Sequence, residues 1–190
     1  MPGPGEVLAR DALRDLAAGQ NGLVSRRQAI DDLGVTTGAL DHLVARGGLL
    51  PVARGIYRVP YLPGVENERY QVALLRTGDP DAALSHETAL ALHEISDVNP
   101  GRYHVTVPQH RRIRRADNDA FVIHVEQLQP RQVGWWNLMR IVTATTAIEQ
   151  CIASGTPTYL LRQAIERGER SGAVRRADLV RLTELLKDRP

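Results

Sequence analysis

The sequence of 190 residues predicts an α+β fold, in which helices come first, strands occupy the middle and helices return at the end. Apolar residues recur at helical spacing up to residue 46 and again after residue 145. Between these regions, the segments "RYHVTVP" and "AFVIHVE" alternate apolar and polar residues, as half-buried strands do. We therefore expect a small N-terminal helical module and a larger part built on a sheet.

The composition is that of an ordinary globular protein, with 43% hydrophobic and 24% charged residues. No apolar run is long enough for a membrane span, and the N-terminus lacks the apolar core of a signal peptide. The single cysteine, Cys151, excludes an internal disulfide and a multi-cysteine metal site. We expect a cytoplasmic protein that does not bind membranes.

The basic residues are almost all arginines, since Lys187 is the only lysine among 24 basic residues. A G- and C-rich genome would explain this bias. So would a need for arginine's planar fork, which suits phosphates and guanine edges. The net charge of +2 is too small to choose between the two explanations, so the arrangement of the arginines has to decide.

The first helix is predicted over Glu6–Ala18 and ends at the segment Gly19–Gly22. Its apolar side consists of Leu8, Ala9, Ala12, Leu13 and Leu16.

A second and a third helix are joined by a glycine turn. Ser25 is a suitable N-cap for the second helix, which breaks at Gly34. Thr36 caps the third helix, which runs to Arg46. The residues that we expect these two helices to bury are Ala29, Ile30, Leu33, Leu40, Leu43 and Val44. Two short helices around a Gly turn have the spacing of a helix-turn-helix.

A hairpin follows the third helix directly, with Arg54 and Gly55 as its two-residue turn. Pro51 fits an edge strand, because proline has no N–H to donate to a ladder. We expect two facing pairs that form one apolar face: Val52 with Tyr57, and Leu50 with Val59.

Helix, helix-turn-helix and hairpin, in this order, are the winged-helix plan. In such modules the third helix enters the DNA major groove and the hairpin contacts an adjacent groove or backbone, although the plan also serves protein interactions. Asp41 on the third helix repels phosphates unless it accepts a hydrogen bond from a cytosine amino group. Gly38 costs the helix about 1 kcal/mol relative to alanine. It is either a tolerated flaw or a means of close approach to DNA.

We place the domain boundary in the Pro- and Gly-containing segment 60–66. This gives a winged helix-turn-helix domain over residues 1–62 and a mixed α/β domain over residues 66–190. The second domain should contain a small sheet with "RIVTA" as its third strand, followed by terminal helices. Its predicted helices are Glu66–Thr77, one capped by Ser85, one beginning at Thr145, and two near 158–171 and 177–187.

We find no catalytic or metal-binding pattern in the sequence. His86 and His93 lie seven residues apart on one predicted helix, without a nearby cysteine or an HExxH spacing. Adjacent helical residues such as Ser85 and His86 diverge by about 100°, so they should not act as a nucleophile and base. His104 and His124 are predicted on the sheet surface. We expect no metal, no cofactor and no enzymatic activity.

Four arginines of the segment "QHRRIRR" lie in a predicted loop between two strands: Arg111, Arg112, Arg114 and Arg115. This loop is either a solvated surface segment or a second electrostatic contact, to DNA or to an acidic partner.

Three stretches together resemble the AbiEi antitoxins of type IV toxin–antitoxin systems, which are linked to abortive phage infection. The first, "SRRQAIDDLGVTTGALDHLVARGGLLPVARGIYRV", is similar to that family's N-terminal winged helix. The second, "ALSHETALALHEISDVNPGRYHVTVPQHRRIRR", is similar to the opening of its second domain. The third, "RIVTATTAIEQCI", is similar to the strand and helix that follow. Together they span most of residues 25–153.

The resemblance implies a DNA-binding antitoxin that represses its own operon at promoter repeats and counteracts a nucleotidyltransferase toxin without a stable complex. By position, its DNA contacts would be Arg26, Arg27, Thr36, Thr37, Gly38, His42, Arg46, Arg54 and Arg58. Two rival classes are a ligand-responsive repressor without a toxin and a nuclease-related protein. The nuclease would need a carboxylate cluster with a lysine to hold a metal and activate water, and Lys187 is the only lysine.

Overall fold

The computed structural model describes residues 4–62, 67–108 and 120–188, with side chains described from residue 8 onward. The chain divides into two compact units. The first comprises Met1–Pro80 with Asn137–Met139, and the second comprises Asp81–Trp136 with Arg140–Pro190. Both units combine helices with strands, so the predicted α+β class is confirmed. The predicted boundary at 60–66 lies partly outside the described residues and stays a prediction.

The first unit has the element order of a winged helix-turn-helix, as predicted. Within the described residues, β3 lies between β1 and β2 in an antiparallel sheet. A π-helical turn at Gln28–Asp32 stands where the second helix was expected. The elements are α1 (Pro4–Ala18), β1 (Leu23–Ser25), α2 (Thr37–Ala45), β2 (Leu50–Ala53), β3 (Ile56–Arg58) and α3 (Glu68–Thr77).

The core of this unit forms between α1, α2 and the small sheet. Its buried members are Leu13, Ala17, Val24, Ala29, Val35, Leu40, Leu43, Leu49 and Val59. Leu8 was predicted on the buried side of α1, but it is 71% exposed. It lies five residues before Leu13, about 140° around the helix, whereas Ala17 lies on the same stripe as Leu13 and takes the buried place.

Both predicted N-caps of the helix-turn-helix are confirmed. The hydroxyl of Ser25 accepts the backbone N–H of Gln28 at 3.1 Å, and the Gln28 side chain accepts the backbone N–H of Ser25 in return. The hydroxyl of Thr36 accepts the N–H of Ala39 at 3.2 Å. Each cap of this kind stabilises a helix by about 1 kcal/mol.

The turn of the hairpin was predicted correctly, but its register was not. Leu50 lies opposite Arg58 and Pro51 opposite Tyr57, and a bulge at Val52 shifts the ladder before the turn. One extra residue moves every following side chain to the other face of a strand, and edge strands often carry such bulges. Leu50, which we expected to face Val59, is therefore 44% exposed.

In the described part of the second unit, the strand order is β6-β5-β4-β8-β7. β5 pairs in parallel with β6 and antiparallel with β4, and β4 pairs in parallel with β8. The strands are β4 (Ala83–Leu84), β5 (Tyr103–Val107), β6 (Phe121–Val125), β7 (Val133–Trp136) and β8 (Met139–Val142). The helices are α4 (His86–Leu92), α5 (Ala144–Ser154), α6 (Thr158–Ser171) and α7 (Arg176–Lys187). The sheet and the terminal helices agree with the predicted arrangement.

The start of α4 differs from the prediction. Ser85 occupies the N-cap position, but its hydroxyl makes no capping bond and lies 3.1 Å from Nδ1 of His86. The expected divergence assumed that both residues were helical. Ser85 is extended and His86 has a φ of +50°, so the two side chains meet instead.

Candidate nucleic-acid interface

One side of α2 is buried in the core and the other faces solvent. Leu40 and Leu43 are buried and hold the helix against the rest of the unit. The opposite side presents exposed residues in successive turns: Thr37, Gly38, Asp41, His42, Ala45 and Arg46. This helix therefore has an accessible face of the kind that a DNA major groove receives.

The first turn of α2 is also accessible. Thr36 and Thr37 are exposed, and the Thr36 hydroxyl is occupied by the cap of the helix. The N-terminus of a helix carries a partial positive charge and N–H groups without intrahelical partners, both of which favour a phosphate. A backbone phosphate at this end of α2 would orient the helix in the groove.

Arg26 connects three parts of the module. Its Nη1 donates to Oδ1 of Asp41 at 3.0 Å, which links the start of the helix-turn-helix to the exposed side of α2. The hydrogen bonds to Asp41 and then to Tyr57 of β3 hold the pKa of the Arg26 guanidinium above its ordinary value. The carboxylate of Asp41 therefore has a cationic partner within the protein.

The tip of the wing is attached to the same place. The backbone N–H of Arg26 donates to the carbonyl of Gly55 at 2.7 Å. Gly55 has a φ of +69°, which glycine adopts without strain in a tight turn. Arg54 precedes it at the tip and is exposed. The hydrogen bond thus fixes Arg54 next to Arg26, beside the helix that carries the exposed face.

Two of the other predicted arginines lie against α3. The Nε of Arg27 is buried without a hydrogen-bond partner among the described residues, and it lies 3.5 Å from the position that a Cβ at Gly78, at the end of that helix, would take. Arg58 forms an ion pair with Glu68 in the first turn of α3. The structure therefore places Arg26 and Arg54 beside the exposed side of α2, whereas Arg27 and Arg58 are directed toward α3.

The contacts to DNA themselves stay a prediction for all of these residues. The second basic segment, with Arg111, Arg112, Arg114 and Arg115, lies outside the described residues.

Sequence reasoning did not find the partner of Asp41. Arg26 and Asp41 are 15 positions apart and belong to different elements, so no short-range spacing relates them. The available signal was weak: an acidic residue on the solvent side of a helix that should meet phosphates needs a neighbouring cation.

The fold defines the class of the N-terminal unit, a winged helix-turn-helix module. Residues 11–60 match the family model AbiEi_4, whose description is "Transcriptional regulator, AbiEi antitoxin". The resemblance to AbiEi antitoxins is thereby confirmed, over the segment that contains α2 and the wing. The match supports a role as a DNA-binding antitoxin of the transcriptional-regulator type.

The fold of the chain is also similar to that of the RV2827C protein from Mycobacterium tuberculosis, known from a crystal structure. The TM-score is 0.52 at 16% sequence identity, and the match covers 97% of this chain and 72% of the other. At this identity the likeness concerns the fold alone. No curated protein sequence matches the chain significantly. Among the described helices, none is both long and apolar enough to cross a membrane.

Proposed function

We propose that the protein is an antitoxin that represses its own operon by binding promoter repeats and that counteracts a nucleotidyltransferase toxin. One observation carries the DNA-binding part: α2 keeps a continuous exposed side while the wing tip is hydrogen-bonded beside it at Arg26. The module with this geometry is the one that matches the AbiEi regulators.

In this proposal α2 enters the major groove. Its exposed positions would contact base edges and the adjoining backbone, with Arg46 at the C-terminal end of the helix. The residues that we assign to this contact are Thr36, Thr37, Gly38, His42 and Arg46. Arg54 at the wing tip would bind a neighbouring phosphate or the adjacent groove.

Arg26 would both pair with Asp41 and bind the DNA backbone. A guanidinium has five N–H donors, and Asp41 and Tyr57 use some of them. The remaining donors can reach a phosphate while the ion pair keeps the Asp41 charge neutralised. Arg27 and Arg58 would contribute less, because their side chains are directed toward α3 and away from the exposed side of α2.

A mobility-shift assay with the protein's own promoter fragment tests the DNA-binding part. Arg54→Ala should weaken binding, and it should make the negative slope of log K against log salt shallower by about one, as expected for one lost phosphate contact. Arg26→Ala should weaken binding further, since it also leaves Asp41 unpaired. Arg162→Ala on the exposed side of α6 is the matched control and should bind as the wild type does. Unchanged affinity and slope for Arg54→Ala would refute the assignment.

The antitoxin part is supported by the matched family and is tested by co-expression. We expect the chain to restore growth to cells that express the nucleotidyltransferase encoded beside it, without forming a complex that co-purifies. A repressor that responds to a small ligand would regulate the promoter but would not restore growth. Failure of rescue, with promoter binding intact, would therefore favour that alternative.

The protein is proposed to act in the cytoplasm and not to be an enzyme. The matched family is regulatory, and its description names no catalytic activity. A plasmid-nicking assay with Mg²⁺ tests the nuclease alternative. Intact supercoiled plasmid is the expected result, and nicking that a chelator abolishes would contradict the proposal.

A further inference from the structure

Three histidines from three elements meet in the second unit. His86 stands at the start of α4, His104 in β5 and His124 in β6, and one ring nitrogen from each lies within 4.8 Å of the others. Nδ1 of His104 is 2.9 Å from Nε2 of His124. The rings of His86 and His124 are stacked, with centroids 3.5 Å apart.

The sheet register and an unusual backbone conformation bring these rings together. In the parallel pair β5 and β6, His104 lies opposite Val122 and His124 opposite Thr106, so the two histidines are diagonal neighbours on one face. His86 has a φ of +50°, which is uncommon outside glycine and is often found at functional sites. His93, seven residues after His86, is not part of the group, because its Nε2 lies 2.8 Å from the carbonyl oxygen of Val142.

Burial makes the charged form of each of the three rings less favourable. Burial, followed by repulsion from the other histidines, lowers the pKa of His86 to about 3. Burial also lowers the pKa of His124 to about 4, and it lowers that of His104.

Neighbouring polar groups hold the histidines in place. Nδ1 of His86 is 3.1 Å from the hydroxyl of Ser85, which leaves Nε2 for another partner. The backbone N–H of His86 donates to the side-chain oxygen of Gln150 at 3.3 Å, and the backbone N–H of His104 donates to the hydroxyl of Thr88 at 2.8 Å. The Ser85 contact is of the kind that fixes the tautomer and orientation of a metal-binding ring, whereas the two backbone bonds hold the main chain at His86 and His104.

We propose that His86, His104 and His124 bind one divalent transition-metal ion of the Zn²⁺ class. Three imidazoles suit Zn²⁺ and Co²⁺, and no cysteine or carboxylate of the described residues joins the three-histidine group. Water would therefore complete a four-coordinate site. His104 and His124 would each carry their N–H on the nitrogen that faces away from the metal, so binding exchanges a hydrogen bond for two metal–nitrogen bonds.

One of the three histidines reaches the surface. His86 lines a surface pocket together with Glu126, Glu149 and Gln150, and Glu149 is paired there with Arg181. The Glu126 carboxylate accepts a hydrogen bond from the Gln150 side chain at 2.7 Å, and this is the same Gln150 that binds the backbone of His86. The charge of Glu126 would favour a cation on the His86 side of the site.

Metal titration of the untagged, chelator-treated full chain tests the inference. We expect calorimetry with Zn²⁺ to give one ion per chain. Co²⁺ should develop the visible absorption of a four-coordinate site. At about a hundredfold excess over Kd, Zn²⁺ should raise the melting temperature by about 5–10 °C. His104→Gln and His124→Gln should each reduce the affinity at least tenfold. His93→Gln is the matched control in the same unit, and it should bind as tightly as the wild type.

Two results would overturn the site. One is a wild-type chain that shows neither stoichiometric Zn²⁺ binding nor a visible Co²⁺ spectrum. The other is unchanged affinity in both glutamine variants, which would place any bound metal elsewhere. Circular dichroism identifies a variant that does not fold, and the wild-type titration decides the question even then. Neither outcome depends on DNA binding or on toxin neutralisation.

Discussion

At the scale of single residues, the ion pair of Arg26 with Asp41 explains how an acidic side chain can lie on the proposed DNA-binding face. The pair brings opposite charges within 3.0 Å, and both side chains are partly exposed, at 37% and 61%. Such exposed pairs contribute little to stability, because solvent screens the two charges. We therefore assign the pair to the positioning of charge rather than to folding.

Asp41→Asn tests this assignment. Removing the negative charge should strengthen binding to promoter and random DNA alike, by a few-fold at low salt, because one repulsion is removed and Arg26 gains freedom to bind phosphate. Fluorescence anisotropy with both duplexes measures the change. A loss of promoter binding with random binding unchanged would instead show that Asp41 reads a base, as a cytosine amino group would allow.

Gly38→Ala tests why glycine occupies the exposed side of a helix. Among the described residues, no atom outside the adjoining backbone of α2 lies within 4 Å of the position that a Cβ at Gly38 would take, so there is room for alanine. The substitution should raise the unfolding free energy by up to about 1 kcal/mol, measured by urea denaturation. We expect promoter affinity to fall, because a methyl group would separate α2 from the groove. Unchanged promoter affinity would show that glycine at position 38 is not needed for close approach to DNA.

At the scale of elements, the same substitution should have the opposite effect on stability in α6. A Cβ at Gly168 would lie 2.6 Å from Cγ2 of Val174. Val174 is held there because its backbone N–H donates to the Gly168 carbonyl at 3.0 Å, in the turn between α6 and α7. We expect Gly168→Ala to destabilise the chain by about 1–3 kcal/mol, because overpacking outweighs the gain in helix propensity. Urea denaturation beside Gly38→Ala gives the comparison. A Gly168→Ala variant as stable as the wild type would contradict the close contact.

The elements that sequence reasoning found are those with a local signal. Helical periodicity located α1, α2 and the terminal helices, and the caps at Ser25 and Thr36 follow from residue type alone. The strands β1 and β4 were missed because three and two residues are too few to show alternation. The wing register was wrong because a bulge is a single extra residue with no fixed sequence signature.

At the scale of the whole chain, the missed features are those that join distant positions. Arg26 meets Asp41, and His86 meets His104 and His124, only after strands pair and a helix starts in an unusual conformation. Neither grouping follows from spacing along the sequence. The family resemblance located the winged-helix module in the N-terminal part of the chain. The family model matches the chain in the same place, over residues 11–60. The partners of individual arginines required the three-dimensional arrangement.

The central claim is that α2 and the wing tip together form the DNA-binding surface. Backbone amide chemical shifts, recorded as a promoter duplex is added to the full chain, test it directly. We predict the largest shifts in residues 36–46 and at Arg54 and Gly55, with small changes in α6 and α7. Shifts confined to the second unit, with α2 and the wing unchanged, would contradict the account.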